Sequence, residues 1–145
     1  MLRKSFPQYP VVPIDIAELI QHTMGSQDLS DSAAPLHLKS FCSMYGANKV
    51  LVGGEIGRHF GRWLTERHAR TSSGDGGGTR YTITHVPDEA AANCIVVNET
   101  LIRRTAREFP DSHAILSSLS TQQVEVECSE LGKVDGALTC CALLF

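Results

Sequence analysis

The feature that most constrains the fold is an order of short strand-like and helix-like segments that recurs about every 50 residues. Residues 36–42 and 49–52 have the composition of strands, and residues 55–68 place apolar side chains at helical spacing. Further strands are predicted at residues 81–86, 93–97 and 124–128, a hairpin partner at 101–105, a helix from residue 110, and a last strand in 133–145. This repeated strand–strand–helix order predicts a modular α+β architecture.

Stretches of a different composition flank or interrupt this order. Residues 9–16 are predicted to form an edge strand, because their prolines cannot donate to a ladder, and residues 17–24 a short helix. Residues 25–35 and 71–79 are rich in Ser, Asp and Gly and are predicted to be loops. The glycine run in the second loop lacks the Lys-Ser/Thr of a phosphate-binding loop, so we interpret it as an insertion.

Composition excludes several classes of function. The 145 residues are 42% apolar, which suits one domain with a real core. The net charge of −3, with no basic block, argues against nucleic acid or an anionic membrane as a partner. No apolar run approaches the ~20 residues of a membrane span, and the N-terminus lacks the apolar region of a secretory signal. A cytoplasmic location is expected.

The five cysteines have neither C-x-x-C spacing nor the density of a disulfide scaffold. Reduced thiols in a cytosolic compartment are the simplest interpretation, and no His/Cys grouping has the spacing of a zinc site, so no metal is expected. Cys140 and Cys141 are adjacent in the predicted last strand, where a rigidly mounted thiol could reach solvent. For any single cysteine, however, packing in the core is the more common role.

A cysteine nucleophile needs a partner that favours the thiolate and protonates the leaving group, and histidine does both. Of the six histidines, His37 is distinguished by its place in a predicted strand beside a Lys-Ser pair. The others lie on predicted helices or beside turns and have no such mark. From the residues alone, a Cys/His site remains the less favoured alternative.

Three blocks of the sequence carry a resemblance to a known family. Residues 36–44 (LHLKSFCSM), 86–95 (VPDEAAANCI) and 133–141 (KVDGALTCC) closely resemble dimethylarginine dimethylaminohydrolases and occur in that family's order. The resemblance implies ββαβ modules of a five-bladed pentein (α/β-propeller), of which this chain would supply about two. Residues 36–145 would be the C-terminal portion of such a domain, and residues 1–35 a weakly matching segment with a mobile loop.

The resemblance also implies an activity and a set of site residues. The family hydrolyses Nω-methylated arginines, such as asymmetric dimethylarginine and monomethylarginine, to citrulline and a methylamine, with no cofactor. By position, Cys140 matches the nucleophile and His37 the acid/base, while Val134, Asp135 and Ser40 are expected to bind or adjoin the substrate. This activity would belong to arginine metabolism and the regulation of nitric oxide.

The sequence departs from the family in lacking the N-terminal motifs whose acidic residues hold the guanidinium. One hypothesis is therefore an enzyme whose activity is impaired in this short chain. The alternative is a non-catalytic fragment or regulatory binding partner of a full-length homologue. A redox or zinc-sensing thiol protein is a third and less favoured hypothesis. An incomplete ring would expose strand edges, which predicts self-association or docking to a homologous chain.

Overall fold

The computed structural model describes residues 4, 7–8, 12–16, 19, 37–71, 81–119, 122–134 and 136–142. The chain divides into two compact units, Met1–Ala34 and Pro35–Phe145. In the first unit, the N–H of Leu19 donates to the carbonyl of Asp15 (3.1 Å). The strand predicted for residues 9–16 is not found in residues 12–15. The predicted loop at 25–35, most of the predicted helix at 17–24 and the predicted loop at 71–79 except Thr71 lie outside the described residues; Thr71 is helical and not part of a loop.

The second unit begins its regular structure with a three-stranded sheet and a long helix. Strand β1 (Cys42–Gly46) pairs antiparallel with β2 (Lys49–Gly53), and helix α1 (Gly54–Thr71) then returns the chain to β3 (Thr82–Val86). Strand β3 lies parallel to β2, with Val50 opposite Ile83. Gly54 starts the helix at a φ of +65°, a conformation that glycine adopts without the strain of a Cβ. The helix predicted at 55–68 is confirmed.

The same arrangement follows a second time. Strand β4 (Ile95–Val97) pairs antiparallel with β5 (Thr100–Arg104), and helix α2 (Pro110–Ser117) leads to β6 (Gln122–Val126), which lies parallel to β5. A short helix α3 (Ser129–Gly132) comes next, and 3-10 turns occupy Leu38–Ser40, Glu89–Ala92 and Leu138–Cys141. The repeated strand–strand–helix order and the mixed α+β class are therefore confirmed.

A shared core joins the two repeats. Leu51 and Val86 from the first repeat and Leu101 and Leu116 from the second are all almost completely buried in one cluster. Phe60 of helix α1 is buried outside this cluster, with its ring 5.9 Å from that of the buried Phe41. Burial of large aliphatic side chains from both repeats means that the repeats stabilise each other.

Two predicted strands are wrong, for one common reason. Residues 38–40 form a 3-10 turn, so that β1 starts only at Cys42, and residues 138–141 form another 3-10 turn instead of a last strand. In both turns a backbone group that a strand would use in a ladder is bound by the side chain of Asn93. Tertiary hydrogen bonds override the local strand pattern at both places.

A third strand is shifted. The strand predicted at residues 124–128 is found at Gln122–Val126 in the structure. The N–H of Cys128 donates to the carboxylate of Glu108 (3.3 Å), which removes it from a strand ladder. The strand therefore ends two residues earlier than its apolar pattern indicates.

Candidate active site

Cys140 lies in the 3-10 turn Leu138–Cys141, which we call the cysteine turn, and its side chain is exposed. Its N–H donates to the carbonyl of Ala137 (3.0 Å), so the turn is closed by its own backbone. Cys141 is also exposed. Exposure therefore leaves two adjacent thiols open to a reagent or substrate, and the resemblance selects Cys140 between them.

The remaining three cysteines are buried, and their thiols are unsuited to nucleophilic attack. Burial raises the pKa of Cys42 to about 12 and that of Cys94 to about 12. Burial, together with the nearby carboxylate of Glu108, also raises the pKa of Cys128. Because the thiolate is the nucleophile, these three cysteines fit the packing role.

His37 stands immediately before the 3-10 turn Leu38–Ser40, which we call the histidine turn, and it is exposed. Its own backbone is extended (φ −135°, ψ 142°), and its carbonyl accepts the N–H of Ser40 at 3.0 Å. The turn continues when the N–H of Phe41 donates to Leu38 (3.3 Å), and Phe41 is completely buried. The imidazole is thus attached to a short turn that a core residue follows.

Asn93 connects the histidine turn with the cysteine turn. Its Nδ2 donates to the carbonyl of Lys39 (2.8 Å) and to Oγ1 of Thr139 (2.9 Å), while its Oδ1 accepts the N–H of Thr139 (3.0 Å). Only 2% of Asn93 is exposed. One buried amide therefore holds the residue before Cys140 and a backbone group two residues after His37.

A cleft of about 670 Å³ opens beside these two turns. It is lined by residues within or next to β1, β4 and the two turns: Lys39, Ser43, Met44, Gly46, Ala47, Cys94, Ile95, Val96, Thr139 and Ala142. Residues on either side of Cys140 thus contribute to its wall. The cleft is large enough for a molecule of amino-acid size.

The other site residues named from the sequence are spread more widely. Ser40 is half-buried in the histidine turn. Val134 follows α3, is 77% exposed, and donates its N–H to the carbonyl of Leu131 (3.1 Å). Asp135 lies outside the described residues. Sequence reasoning missed Asn93 as a site residue, although it lies in the second block of the resemblance, and no local pattern marks a buried amide that bonds two distant turns.

Neither a metal site nor a membrane span is found in the described part of the chain. No group of three or more His, Cys, Asp or Glu side chains there could hold a metal ion. No helix among the described residues is long and apolar enough to cross a bilayer.

Comparison with curated sequences identifies relatives of the chain, although no family model matches it. N(G),N(G)-dimethylarginine dimethylaminohydrolase of Pseudomonas aeruginosa is 36% identical over 67 residues, which cover 45% of this chain and 26% of that protein.

Solved structures give a longer match. A cysteine-to-serine mutant of the Pseudomonas aeruginosa enzyme, complexed with citrulline, has a TM-score of 0.56 at 26% identity and covers 79% of this chain. Two further dimethylarginine dimethylaminohydrolases, each with a TM-score of 0.55, match at similar coverage. One is an adduct with 4-chloro-2-hydroxymethylpyridine, and the other is a histidine-to-glycine variant as an adduct with S-methyl-L-thiocitrulline.

The match covers less than half of each of these relatives. The chain spans 38% to 40% of the length of these solved structures. The sequence and structure matches nevertheless agree on one family and cover the C-terminal part of this chain. The resemblance seen in the sequence is therefore confirmed: the C-terminal part of the chain is similar in sequence and structure to dimethylarginine dimethylaminohydrolases.

Proposed function

We propose that this chain carries the nucleophile and the acid/base of a hydrolase that converts Nω-methylated arginines to citrulline and a methylamine. The observation that carries the proposal is the joint attachment of the turns bearing Cys140 and His37 to Asn93, beside a cleft. The relatives are named as hydrolases, and one binds citrulline, which favours an enzyme over a non-catalytic partner.

In the first half of the reaction, the Cys140 thiolate attacks the guanidinium carbon, and the planar centre becomes tetrahedral. The C–N bond to the methylated nitrogen then breaks. His37, in its protonated form, gives a proton to the departing amine, which is a poor leaving group when unprotonated. The product of this step is a covalent thiouronium on Cys140 together with a free methylamine.

In the second half, His37 takes a proton from a water molecule, and the resulting hydroxide attacks the thiouronium carbon. The C–S bond breaks, citrulline leaves, and Cys140 returns to its thiol or thiolate form. The Val134 backbone and the Ser40 side chain would help to hold the substrate; the Val134 N–H already donates to Leu131, so its carbonyl is the backbone group proposed for this role. Asp135 is proposed as a further neighbour of the substrate.

We further propose that the isolated chain is a slow enzyme. The residues lining the described cleft include no Asp or Glu, and Lys39 brings a positive charge to its wall. Moving a guanidinium out of water without a paired carboxylate costs several kcal/mol. A second copy or a homologous chain would supply the missing groups if this chain contributes about two modules to a pentein ring.

Citrulline release from asymmetric dimethylarginine by the purified chain tests the proposal. Cys140→Ser should abolish release, because serine is not ionised near neutral pH. Cys141→Ser is the matched control, since it removes an equally exposed neighbouring thiol, and it should keep the wild-type rate. Citrulline production that persists in Cys140→Ser, or none from folded wild-type protein at high concentration, would contradict the proposed function.

A further inference from the structure

We infer that Asn93 is a positioning residue: it holds the cysteine turn and the histidine turn in the relative position that the reaction of Cys140 and His37 requires. The inference rests on the proposed function, in which Cys140 and His37 are the reacting pair. Asn93 is 54 residues from Lys39 and 46 residues from Thr139 in sequence, so its three bonds close two long loops of the chain. No other described hydrogen bond connects these two turns through a single side chain.

Neither the histidine turn nor the cysteine turn contains a buried residue of its own. The histidine turn is anchored at its end by the buried Phe41, whereas no buried residue adjoins the cysteine turn among the described residues. Each is a 3-10 turn of at most four residues, a structure with poor hydrogen-bond geometry of its own. Their relative position must therefore depend strongly on the groups that bond them to the core.

Asn93 itself is firmly mounted. Its N–H donates to the carbonyl of Ala90 (3.2 Å) at the end of the 3-10 turn Glu89–Ala92. The next residue, Cys94, donates its N–H to Oγ of Ser43 in β1 (3.3 Å). The backbone that carries this amide is thus fixed by the 3-10 turn Glu89–Ala92 and by β1.

Only an amide satisfies this arrangement. The Lys39 carbonyl requires a donor, whereas the Thr139 N–H requires an acceptor, so the two ends of the Asn93 side chain cannot exchange places. Aspartate keeps the acceptor for Thr139 but loses both donors. Asn93→Asp therefore removes both donors with little change in volume. Because it also adds a negative charge, Thr139→Val, which adds none, is measured beside it.

The experiment measures the alkylation of Cys140 by iodoacetamide against pH, in a Cys141→Ser background, together with the turnover of dimethylarginine. We expect His37→Ala to slow the alkylation of Cys140, because the proposed acid/base partner of the thiol is lost. Asn93→Asp should give the same profile as His37→Ala. It should also lower kcat on the order of 100-fold, the scale of a misplaced catalytic group, with a much smaller change in KM.

Thr84→Val is the matched control, because it makes the same side-chain change as Thr139→Val. Oγ1 of Thr84 shares a hydrogen bond with the hydroxyl of Tyr45 (2.8 Å), and neither residue belongs to either turn or to the 3-10 turn Glu89–Ala92. Thr84→Val should reduce stability while the alkylation profile of Cys140 stays that of the wild type. Thr139→Val removes only the Oγ1 bond, should give an intermediate change, and decides the question if Asn93→Asp does not fold.

A wild-type alkylation profile in folded Asn93→Asp, or in Thr139→Val if Asn93→Asp is unfolded, would overturn the inference. An equal change in Thr84→Val would overturn it too, as would a Cys140 profile that does not respond to His37→Ala. Alkylation does not require the substrate. If the wild-type chain releases no citrulline, the proposed function fails while the alkylation measurements still decide the role of Asn93.

Discussion

Glu108 lies at the centre of the loop after β5, and we expect its replacement by glutamine to destabilise the second repeat strongly. Its carboxylate accepts hydrogen bonds from Nε of Arg104 (2.9 Å), from the N–H and Oγ1 of Thr105 (3.2 Å each) and from the N–H of Cys128 (3.3 Å). Its side chain is 6% exposed and that of Arg104 is 11% exposed. Burial alone raises the pKa of Glu108, but the hydrogen bonds from these donors outweigh burial and lower it.

The expected loss in the free energy of unfolding follows from the buried charge that Glu108→Gln leaves without its partner. The substitution removes the negative charge and turns an amide group toward donors, so the guanidinium of Arg104 stays buried without its ion pair. Breaking a buried ion pair on one side costs about 3–5 kcal/mol. With a urea m-value of roughly 2 kcal/mol/M, the unfolding midpoint should fall by about 2 M.

A matched control is the exposed pair of Lys133 and Glu130, whose side chains are 68% and 82% exposed. Glu130→Gln should change the free energy of unfolding by less than about 0.5 kcal/mol, because solvent screens the pair. Urea unfolding followed by far-UV circular dichroism measures both variants. A loss below about 1 kcal/mol in Glu108→Gln would refute the reasoning from the buried pair.

The pH dependence gives a second check. Because the pKa of Glu108 is lower in the folded state, its stabilisation is fully present above the unfolded pKa of about 4.3 and is lost as pH falls through the folded value. The difference between wild type and Glu108→Gln should therefore be largest near neutral pH and shrink at acidic pH. A difference that stays constant would show that the charge of Glu108 is not its cause.

Three further predictions follow from packing, burial and strand edges. Gly53→Ala should lower the melting temperature by several degrees, because a Cβ there would lie 2.4 Å and 2.6 Å from two backbone oxygens of the turn before β4; an unchanged melting temperature would contradict this packing. Native alkylation at pH 8, read by peptide mass spectrometry, should label Cys140 and Cys141 but not Cys42 and Cys94, whose pKa is raised to about 12, until denaturant is added. Sedimentation velocity should show concentration-dependent self-association, because both described sheets have open edges, and a strictly monomeric protein at high micromolar concentration would refute it.

Local sequence predicts the elements that draw their stability from their own pattern. Helix α1 was predicted because Ile56, Phe60 and other apolar residues recur at helical spacing, and its buried face packs on the core as that spacing requires. The hairpin of β4 and β5 was likewise predicted from two apolar runs with a short connection. The pattern of apolar residues along such an element is enough to predict both its type and its buried face.

For the residues of the candidate site, the local sequence pattern did not predict the backbone structure correctly. Cys140 and His37 could be named through the resemblance, but local patterns placed both on strands, and the structure places them on or beside 3-10 turns. Exposure then separates Cys140 and Cys141 from the three buried cysteines, a distinction that spacing along the chain does not contain.

The sequence by itself determined the repeated order of strands and helices, the apolar face of each element and, through its three long blocks, the resemblance to one family. These depend on side-chain periodicity and on residue identity, both of which are local. Only the tertiary structure decided that Asn93 would bond Lys39 and Thr139, and thereby where the turns of His37 and Cys140 lie. A buried amide must satisfy its donors and acceptors with whatever groups the fold brings near it, and those partners are set by the packing of distant segments.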